Sequence, residues 1–156
     1  MSLERAREAL AAANLADRIM EFDQSSATVE LAAAAVGCEP ARIAKTLSFG
    51  VGDRVALVVC AGDARIDNPK FKGQFHTKAK MLSASGAQER IGHGVGGVCP
   101  FGAKEGCDIY LDESLKRFDV VYPAAGTSNT AVRLTLPELE RACPTAAWVD
   151  VCKLPA

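Results

Sequence analysis

The stretch IAKTLSFGVGDRVALVVCA, residues 43–61, decides the fold, because it contains two strand-like runs joined by turn residues. Gly50, Gly52 and Asp53 are typical of the tight turn in a β-hairpin. The returning run, residues 54–61, is apolar on both faces, which favours a strand in the middle of a sheet over one at its edge. We therefore predict an antiparallel hairpin at the centre of the sheet.

Helices and further strands are predicted on both sides of this hairpin, from apolar periodicity and from capping residues. Ser25 or Ser26 is expected to cap the second helix, and Gly37 to end it. The predicted helices cover residues 3–15, 27–36, 81–91 and 136–143, with another starting at 67–70; helical turns fall at 39–42 and 113–117, and the further strands at 18–22, 107–111, 120–122, 131–134 and 147–151. This order predicts an α/β (α+β) fold: a single domain over residues 1–156 with a mixed, largely antiparallel sheet.

The composition of the 156 residues is that of an ordinary globular domain, with 49% hydrophobic and 24% charged residues. The net charge of -1 excludes a strongly basic surface that would hold duplex nucleic acid non-specifically, but not a local basic patch. The first residues are charged and lack the apolar core of a signal peptide, and no apolar run is long enough to span a bilayer. We therefore expect a cytoplasmic protein without a membrane partner.

Six cysteines and two histidines show no metal-binding spacing. Because no Cys-x-x-Cys pair occurs, a zinc site has little support, and reduced thiols are expected without a secretion signal. The common nucleotide-binding, hydrolase and metalloprotease motifs are also missing. We therefore predict no metal and no cofactor.

Lys45 is the unusual charge of the chain, because strand periodicity places it on one face with Ile43, Leu47 and Phe49. Two interpretations remain open. Either the lysine extends its ammonium group into solvent at the margin of the sheet, or it points into a pocket.

Two loops of small residues are candidate walls of such a pocket. The first, residues 92–102, contains five glycines and Pro100. It is either a tight turn or a loop whose backbone N–H groups, at residues 94–97, bind an anion or an oxyanion. The second loop, residues 126–131, is either an ordinary turn or a wall rich in hydrogen-bond donors. Together with Lys45, the two loops indicate a site for a small polar ligand.

His93 and Cys99 suggest a different chemistry, since a nucleophilic cysteine needs a nearby base to lower its pKa. The two residues lie six positions apart in one loop, so contact is feasible. The sequence offers no third residue to orient the pair. Simple packing of Cys99 inside the loop is the alternative interpretation.

Three segments resemble the YbaK family of editing domains, which are related to the insertion domain of bacterial prolyl-tRNA synthetase. These segments are RIAKTLSF (residues 42–49), GHGVGGVCPFG (92–102) and AAGTSNTAVRLT (124–135). The resemblance extends over nearly the whole chain, residues 3–151. It implies a single α/β domain with a strongly curved mixed sheet.

The resemblance also implies a site. Lys45 would contact the terminal adenosine of a tRNA or its phosphate, and Gly96 and Gly97 would place backbone groups near the scissile carbonyl. These three are the implied catalytic residues. Ser26 and Thr28 would lie near the amino-acid side chain. The full set of implied substrate-binding residues is Phe22, Ser26, Thr28, Val98, Cys99, Pro100, Gly126, Ser128 and Asn129.

The activity that the resemblance implies is ester hydrolysis. A trans-editing deacylase of this family removes a wrong amino acid from the 3′ end of a tRNA, for translation fidelity, by substrate-assisted hydrolysis without a protein nucleophile. The expected substrate is tRNA-Pro carrying a small non-cognate amino acid such as alanine or cysteine. Serine, threonine and proline on a wrong tRNA are alternatives. The expected partners are the aminoacyl-tRNA 3′ end and prolyl-tRNA synthetase.

Two other functions remain open at this point. The domain could bind aminoacyl-tRNA or an aminoacyl-adenylate without catalysis. It could instead be a hydrolase that depends on Cys99 and His93.

Overall fold

The structure is a computed structural model that describes residues 2–94 and 96–155. Within these residues the α-helices are α1 (Ser2–Ala12), α2 (Val29–Val36), α3 (Asn68–Phe75), α4 (Ala84–Ile91) and α5 (Leu136–Ala142). The strands are β1 (Ile19–Glu21), β2 (Ile43–Val51), β3 (Arg54–Ala61), β4 (Arg65–Ile66), β5 (Cys107–Asp112), β6 (Val120–Pro123), β7 (Thr130–Val132), β8 (Leu134–Thr135), β9 (Ala147–Val149) and β10 (Cys152–Lys153). Short 3-10 helices lie at Ala16–Arg18, Pro40–Arg42 and Glu113–Arg117. The single domain expected over residues 1–156 also includes Met1, Val95 and Ala156, which lie outside the described residues.

The main sheet has six strands in the order β8-β6-β2-β3-β5-β9. β2 and β3 pair antiparallel, as do β6 and β8, whereas β6 runs parallel to β2 and β5 runs parallel to both β3 and β9. The pairs β1–β7 and β4–β10 are antiparallel and lie outside this sheet. The main sheet is therefore mixed, and the predicted α+β fold class is confirmed. Three of its five strand pairings are parallel, so this sheet is less antiparallel than the sequence predicted, because α3 and α4 connect β3 to β5 as a crossover.

The central hairpin has the bounds that the sequence predicts, Ile43–Val51 and Arg54–Ala61. All seven residues of β3 after Arg54 are buried, because this strand has neighbours on both edges and is covered on both faces. In the register of the hairpin, Lys45 lies opposite Cys60 and Thr46 opposite Val59. The hairpin thus places Lys45 on a central strand of the sheet.

The main core lies on one side of the hairpin and is closed by aromatic contacts. The Phe49 and Phe71 rings lie 4.8 Å apart between centroids, and Phe71 and Phe75 lie 4.6 Å apart. Leu10 in α1 and Leu15, which follows the helix, are fully buried in the same cluster. Burial of each such side chain stabilises the fold by about 1.5–3 kcal/mol.

The start of α2 differs from the prediction. Thr28 is the capping residue, and its hydroxyl accepts a hydrogen bond from the Leu31 N–H at 3.1 Å. Ser26 does not cap the helix, because its N–H and its hydroxyl both donate to the Ser128 carbonyl. A contact distant in sequence thus displaces the cap that the local pattern predicts. Gly37 ends the helix with a φ of 85°, as expected.

Other boundaries shift for similar reasons. The first helix ends at Ala12 because Asn14 adopts a left-handed conformation and the Leu15 N–H bonds back to Leu10. α4 begins only after Ser83, because Met81 forms a bridge with Phe49. The predicted strand 131–134 is interrupted at Arg133, since β7 pairs with β1 and β8 pairs with β6. The predicted strand 147–151 ends at Val149, and β10 begins only at Cys152, where it pairs with β4. None of the helices in the described part of the chain has the length and apolar character needed to cross a membrane.

Candidate functional site

A cavity of about 330 Å³ lies against β2, and we call it the site cavity. Its walls come from β2, the N-terminal ends of α2 and α4, the glycine-rich loop, and β6 and β7. The lining residues are Ser26, Ala27, Thr28, Val29, Ala32, Ile43, Ala44, Lys45, Thr46, Leu47, Ser48, Leu82, Ser83, Ala84, Ala87, Gly96, Val98, Tyr122, Ala124, Thr130 and Ala131. Small and apolar residues dominate the wall, and hydroxyl groups supply most of its polarity.

Lys45 is the one cation that lines the site cavity among the described residues. It is half-buried, and its ammonium group donates to the carbonyls of Gly62 (3.2 Å) and Ala64. The side chain also lines a second cavity, which adjoins the first. The ammonium group is therefore fixed between two cavities by backbone acceptors, so the pocket interpretation fits better than free extension into solvent.

Gly62 makes this arrangement possible. A Cβ atom at this position would lie 2.0 Å from the Pro40 carbonyl oxygen, a distance that no side chain can occupy. The backbone directly after β3 can therefore pass close to the 3-10 helix Pro40–Arg42 only with glycine at this position. Sequence reasoning did not identify Gly62, since Gly62-Asp63 resembles any turn after a strand.

The glycine-rich loop packs directly against the late loop. A Cβ atom on Gly97 would lie 2.5 Å from the carbonyl carbon and oxygen of Gly126. Gly96 has a φ of 82°, and a Cβ atom there would lie 2.8 Å from that of Ala27. Both glycines are thus needed for close approach of backbone segments. Val95, inside the predicted anion-binding stretch 94–97, lies outside the described residues.

The backbone N–H groups of this loop have different roles. The Gly97 N–H donates to the Gly94 carbonyl at 3.0 Å and closes a turn. Among the described residues, no hydrogen bond occupies the N–H of Gly96 or Val98, and both residues line the site cavity. Among the described residues of this loop, Gly96 and Val98 thus combine a place at the cavity wall with an N–H that has no protein acceptor, as an oxyanion site requires, while Gly97 serves close packing.

The late loop and the segment before α2 hold each other in place. The Ser26 N–H donates to Ser128 at 2.7 Å, and the Phe22 N–H donates to the Asn129 carbonyl at 2.8 Å. The Asn129 amide donates back to the Phe22 carbonyl at 3.1 Å. These contacts fix Ser26 and Thr28 at the cavity wall.

The residues implied by the resemblance thus divide into two groups. Five of them line the site cavity: Ser26, Thr28, Lys45, Gly96 and Val98. The remaining seven do not line it: Phe22, Gly97, Cys99, Pro100, Gly126, Ser128 and Asn129. Ser128 of this second group accepts the hydrogen bonds that Ser26 donates and packs against Gly96.

Sequence reasoning missed two polar wall residues, Thr46 and Ser48. They alternate along β2, which is the signal that could have revealed them. The Thr46 hydroxyl is buried and has no hydrogen-bond partner among the described residues. Tyr122, Thr130 and Ser83 were also missed, since distant elements bring them to the cavity.

The Cys99–His93 pair is a core contact. Both residues are fully buried, and neither lines the site cavity. The sulfur lies 3.6 Å from His93 Nε2, but this nitrogen lies 2.7 Å from the Phe101 carbonyl and therefore carries the proton it donates there. A protonated Nε2 cannot accept the proton of the thiol.

The electrostatics of this pair also oppose nucleophilic chemistry. Burial raises the pKa of the Cys99 thiol to about 12 and lowers the pKa of His93 below its ordinary value. The thiol stays protonated, because a thiolate has no compensating charge at this position. The hypothesis of a hydrolase dependent on Cys99 and His93 is thus physically disfavoured. Across residues 2–94 and 96–155, no three His, Cys, Asp or Glu side chains are arranged to hold a metal ion.

Comparison with known proteins identifies relatives over most of the chain. Residues 23–142 match the family model described as "Aminoacyl-tRNA editing domain". The "Uncharacterized protein YwhH" of Bacillus subtilis (strain 168) is 49% identical over 154 residues, which cover 98% of each chain. The "Proline--tRNA ligase" of Bacillus velezensis is 25% identical over 125 residues, which cover 80% of this chain and 22% of that relative.

Solved structures share the fold over nearly their whole length. One is described as a "putative trans-editing enzyme for prolyl tRNA synthetase"; its TM-score is 0.87 at 29% identity, and 97% of each chain is covered. Another, "hypothetical protein APE2540", has a TM-score of 0.84 at 27% identity and covers 96% of this chain and 99% of its own.

Proposed function

The chain belongs to the aminoacyl-tRNA editing domain family, and on that premise we propose that it is a trans-editing deacylase. The proposed reaction hydrolyses the ester between a wrong amino acid and the 3′-terminal ribose of a tRNA. The proposed substrate is tRNA-Pro carrying a small non-cognate amino acid such as alanine or cysteine, and prolyl-tRNA synthetase is the proposed partner enzyme.

The observation that carries this proposal is the site cavity with a cation on one wall and two available backbone N–H groups on another. Lys45 provides the positive charge, and Gly96 and Val98 provide the N–H groups. The described lining includes no Cys, His, Asp or Glu. Such a site suits a substrate that is already activated, because an aminoacyl ester needs only positioning and oxyanion stabilisation.

The proposed chemistry needs no covalent intermediate on the protein. A water molecule attacks the ester carbonyl carbon, and the N–H groups of Gly96 and Val98 stabilise the negative charge on the carbonyl oxygen. The bond between the carbonyl carbon and the ribose oxygen then breaks, and that oxygen receives the proton lost by the water. The neighbouring ribose hydroxyl positions the water, so that the substrate takes the part that a Cys, His, Asp or Glu plays in other hydrolases.

The size and lining of the cavity support a small amino acid. Ala27, Ala32, Ala84 and Ala87 contribute an apolar wall, and the 330 Å³ must hold part of the terminal ribose as well. Each additional methylene group on the amino acid changes binding by about 1–3 kcal/mol. One enlarged wall residue is therefore expected to alter selectivity.

The test is deacylation of tRNA-Pro carrying labelled alanine, cysteine, serine, threonine or proline. We expect rapid release of alanine or cysteine and slow release of proline, with the activity lost in Lys45→Ala. A folded protein that binds these tRNAs saturably but hydrolyses none of them would overturn the proposal in favour of a binding module.

A further inference from the structure

A second cavity of about 510 Å³ adjoins the site cavity, and Lys45 forms part of both walls. We call it the cation cavity. Its other lining residues are Gly62, Asp63, Ala64, Arg65, Lys153, Leu154 and Pro155. It lies along the short strands β4 and β10, and Lys45 is the residue common to both walls. The shared side chain brings the two cavities together at one point.

Two exposed cations face each other across this cavity wall. Arg65 and Lys153 are directly paired in the antiparallel register of β4 and β10. Like charges at directly opposite positions destabilise a sheet. Within residues 2–94 and 96–155, neither side chain forms an ion pair or a hydrogen bond. The repulsion between the two cations lowers the stability of the free protein, and an anion bound between the two strands would relieve it.

The single acidic residue of the cavity does not neutralise these charges. Asp63 is bound by Arg117, with two contacts of 2.6 and 3.1 Å between guanidinium nitrogens and carboxylate oxygens. This bidentate pair holds the pKa of the Asp63 carboxyl below its ordinary value. Lys45, Arg65 and Lys153 therefore give the cation cavity a local positive charge, although the whole chain has a net charge of -1.

We propose that the cation cavity binds the phosphodiester backbone of a single-stranded RNA end whose terminal ester lies in the site cavity. This inference rests on the proposed deacylase function for the identity of the RNA. Arg65 and Lys153 contact phosphates on the 5′ side of the terminal nucleotide, and Lys45 contacts the terminal nucleotide. Such contacts are independent of base sequence and supply affinity that depends on salt concentration.

The direct test is binding of a fluorescein-labelled single-stranded RNA ending in CCA, measured by fluorescence anisotropy at several salt concentrations. For Arg65→Ala/Lys153→Ala we expect Kd to rise about tenfold at low salt. Loss of two phosphate contacts on a single strand lowers the slope of log Kd against log salt by about 1.4. The matched control is Lys72→Ala/Lys78→Ala, because these exposed lysines line neither cavity and the charge change is the same.

A second variant separates binding from folding. Lys153→Glu places an opposite charge across from Arg65, so the thermal midpoint should stay unchanged or rise while the RNA binds more weakly. If the two cations had a purely structural role, Lys153→Glu would instead lower the thermal midpoint. The proposal is overturned if the wild type does not bind the RNA, or if the control variant weakens binding as much as Arg65→Ala/Lys153→Ala does. It is also overturned if Arg65→Ala/Lys153→Ala loses affinity for a blunt-ended RNA duplex but not for the single strand.

Kinetics distinguish this proposal from the proposed function. Alanyl-adenosine carries the ester but no phosphodiester, so Arg65→Ala/Lys153→Ala should hydrolyse it at the wild-type rate and lose about tenfold in kcat/KM only on Ala-tRNA-Pro. Equal losses on both substrates would overturn the assignment of phosphate contacts. If the wild type hydrolyses neither substrate, the deacylase function fails, and the anisotropy titration still decides whether the cation cavity binds RNA.

Discussion

The sequence suggests two places for chemistry, Lys45 with its glycine-rich loop and the Cys99–His93 pair. The fold exposes the first to a cavity and buries the second in the core. Lys45 lies at the junction of two open cavities and is held by backbone carbonyls. Cys99 and His93 lie only 3.6 Å apart, yet both are sealed in the core. Access and protonation state, rather than residue type, therefore decide which set can act on a ligand.

Removal of the Lys45 charge is expected to have the largest effect. Lys45→Met keeps most of the side-chain volume but loses the ammonium group, so kcat/KM for Ala-tRNA-Pro should fall by about 100-fold or more. The thermal midpoint should fall by only a few degrees, because the hydrophobic stem still packs on the strand although the carbonyls of Gly62 and Ala64 lose a donor. Steady-state kinetics and a melting curve check both values. Wild-type turnover in a folded Lys45→Met protein would remove this residue from the mechanism.

Separation of the two loops is expected to have the next largest effect. Gly97→Ala forces the glycine-rich loop away from Gly126, which costs about 1–3 kcal/mol of stability and displaces the N–H groups at the cavity. We expect about tenfold lower kcat/KM and a lower denaturant midpoint.

The matched control for that substitution is Gly73→Ala. A Cβ atom at this helical position meets no atom within 4 Å, so the variant should gain about 0.5–1 kcal/mol and keep full activity. If Gly97→Ala behaved like Gly73→Ala, the loops would not need their close contact.

Cys99→Ala probes the other region directly. Loss of the buried sulfur should lower the free energy of unfolding by about 1–2 kcal/mol, while deacylation stays within about twofold of wild type. Because burial raises the pKa of Cys99 to about 12, iodoacetamide should also leave the activity intact. Loss of turnover in a stable Cys99→Ala protein would restore a nucleophilic role for the thiol.

The smallest effect concerns pH. Burial lowers the pKa of His93 below its ordinary value of 6.5, so the unfolded chain binds a proton more readily than the folded protein. The free energy of unfolding should therefore decrease as the pH falls below about 6.5 and remain flat above it. His93→Gln should reduce this slope in denaturant titrations between pH 7 and pH 5. An unchanged slope would assign the acid sensitivity to other groups.

The sequence predicts local features of this molecule well. The central hairpin follows from a turn and two apolar runs, so its bounds could be read directly from the sequence. The three segments that carry the resemblance do meet around one cavity. Lys45, Gly96 and Val98 all lie on its wall.

The features that the sequence did not predict depend on distant contacts. The local sequence predicts Ser26 as a helix cap, but its N–H and its hydroxyl both donate to the Ser128 carbonyl. β4 and β10 have two residues each, which is too short for a periodic signal. Gly62 and Ala64 bind the ammonium group of Lys45 only because the hairpin returns past it. Such pairings are set by the tertiary fold and leave no local pattern.

One assay decides between the site cavity and the buried thiol: alanine release from Ala-tRNA-Pro is followed for the wild type, Lys45→Met and Cys99→Ala side by side. If the chemistry takes place in the site cavity, the wild type and Cys99→Ala release alanine at rates within about twofold of each other, and Lys45→Met is slower by about 100-fold. Fast release by Lys45→Met together with an inactive, folded Cys99→Ala would contradict this prediction, because the chemistry would then lie in the buried contact and not in the site cavity.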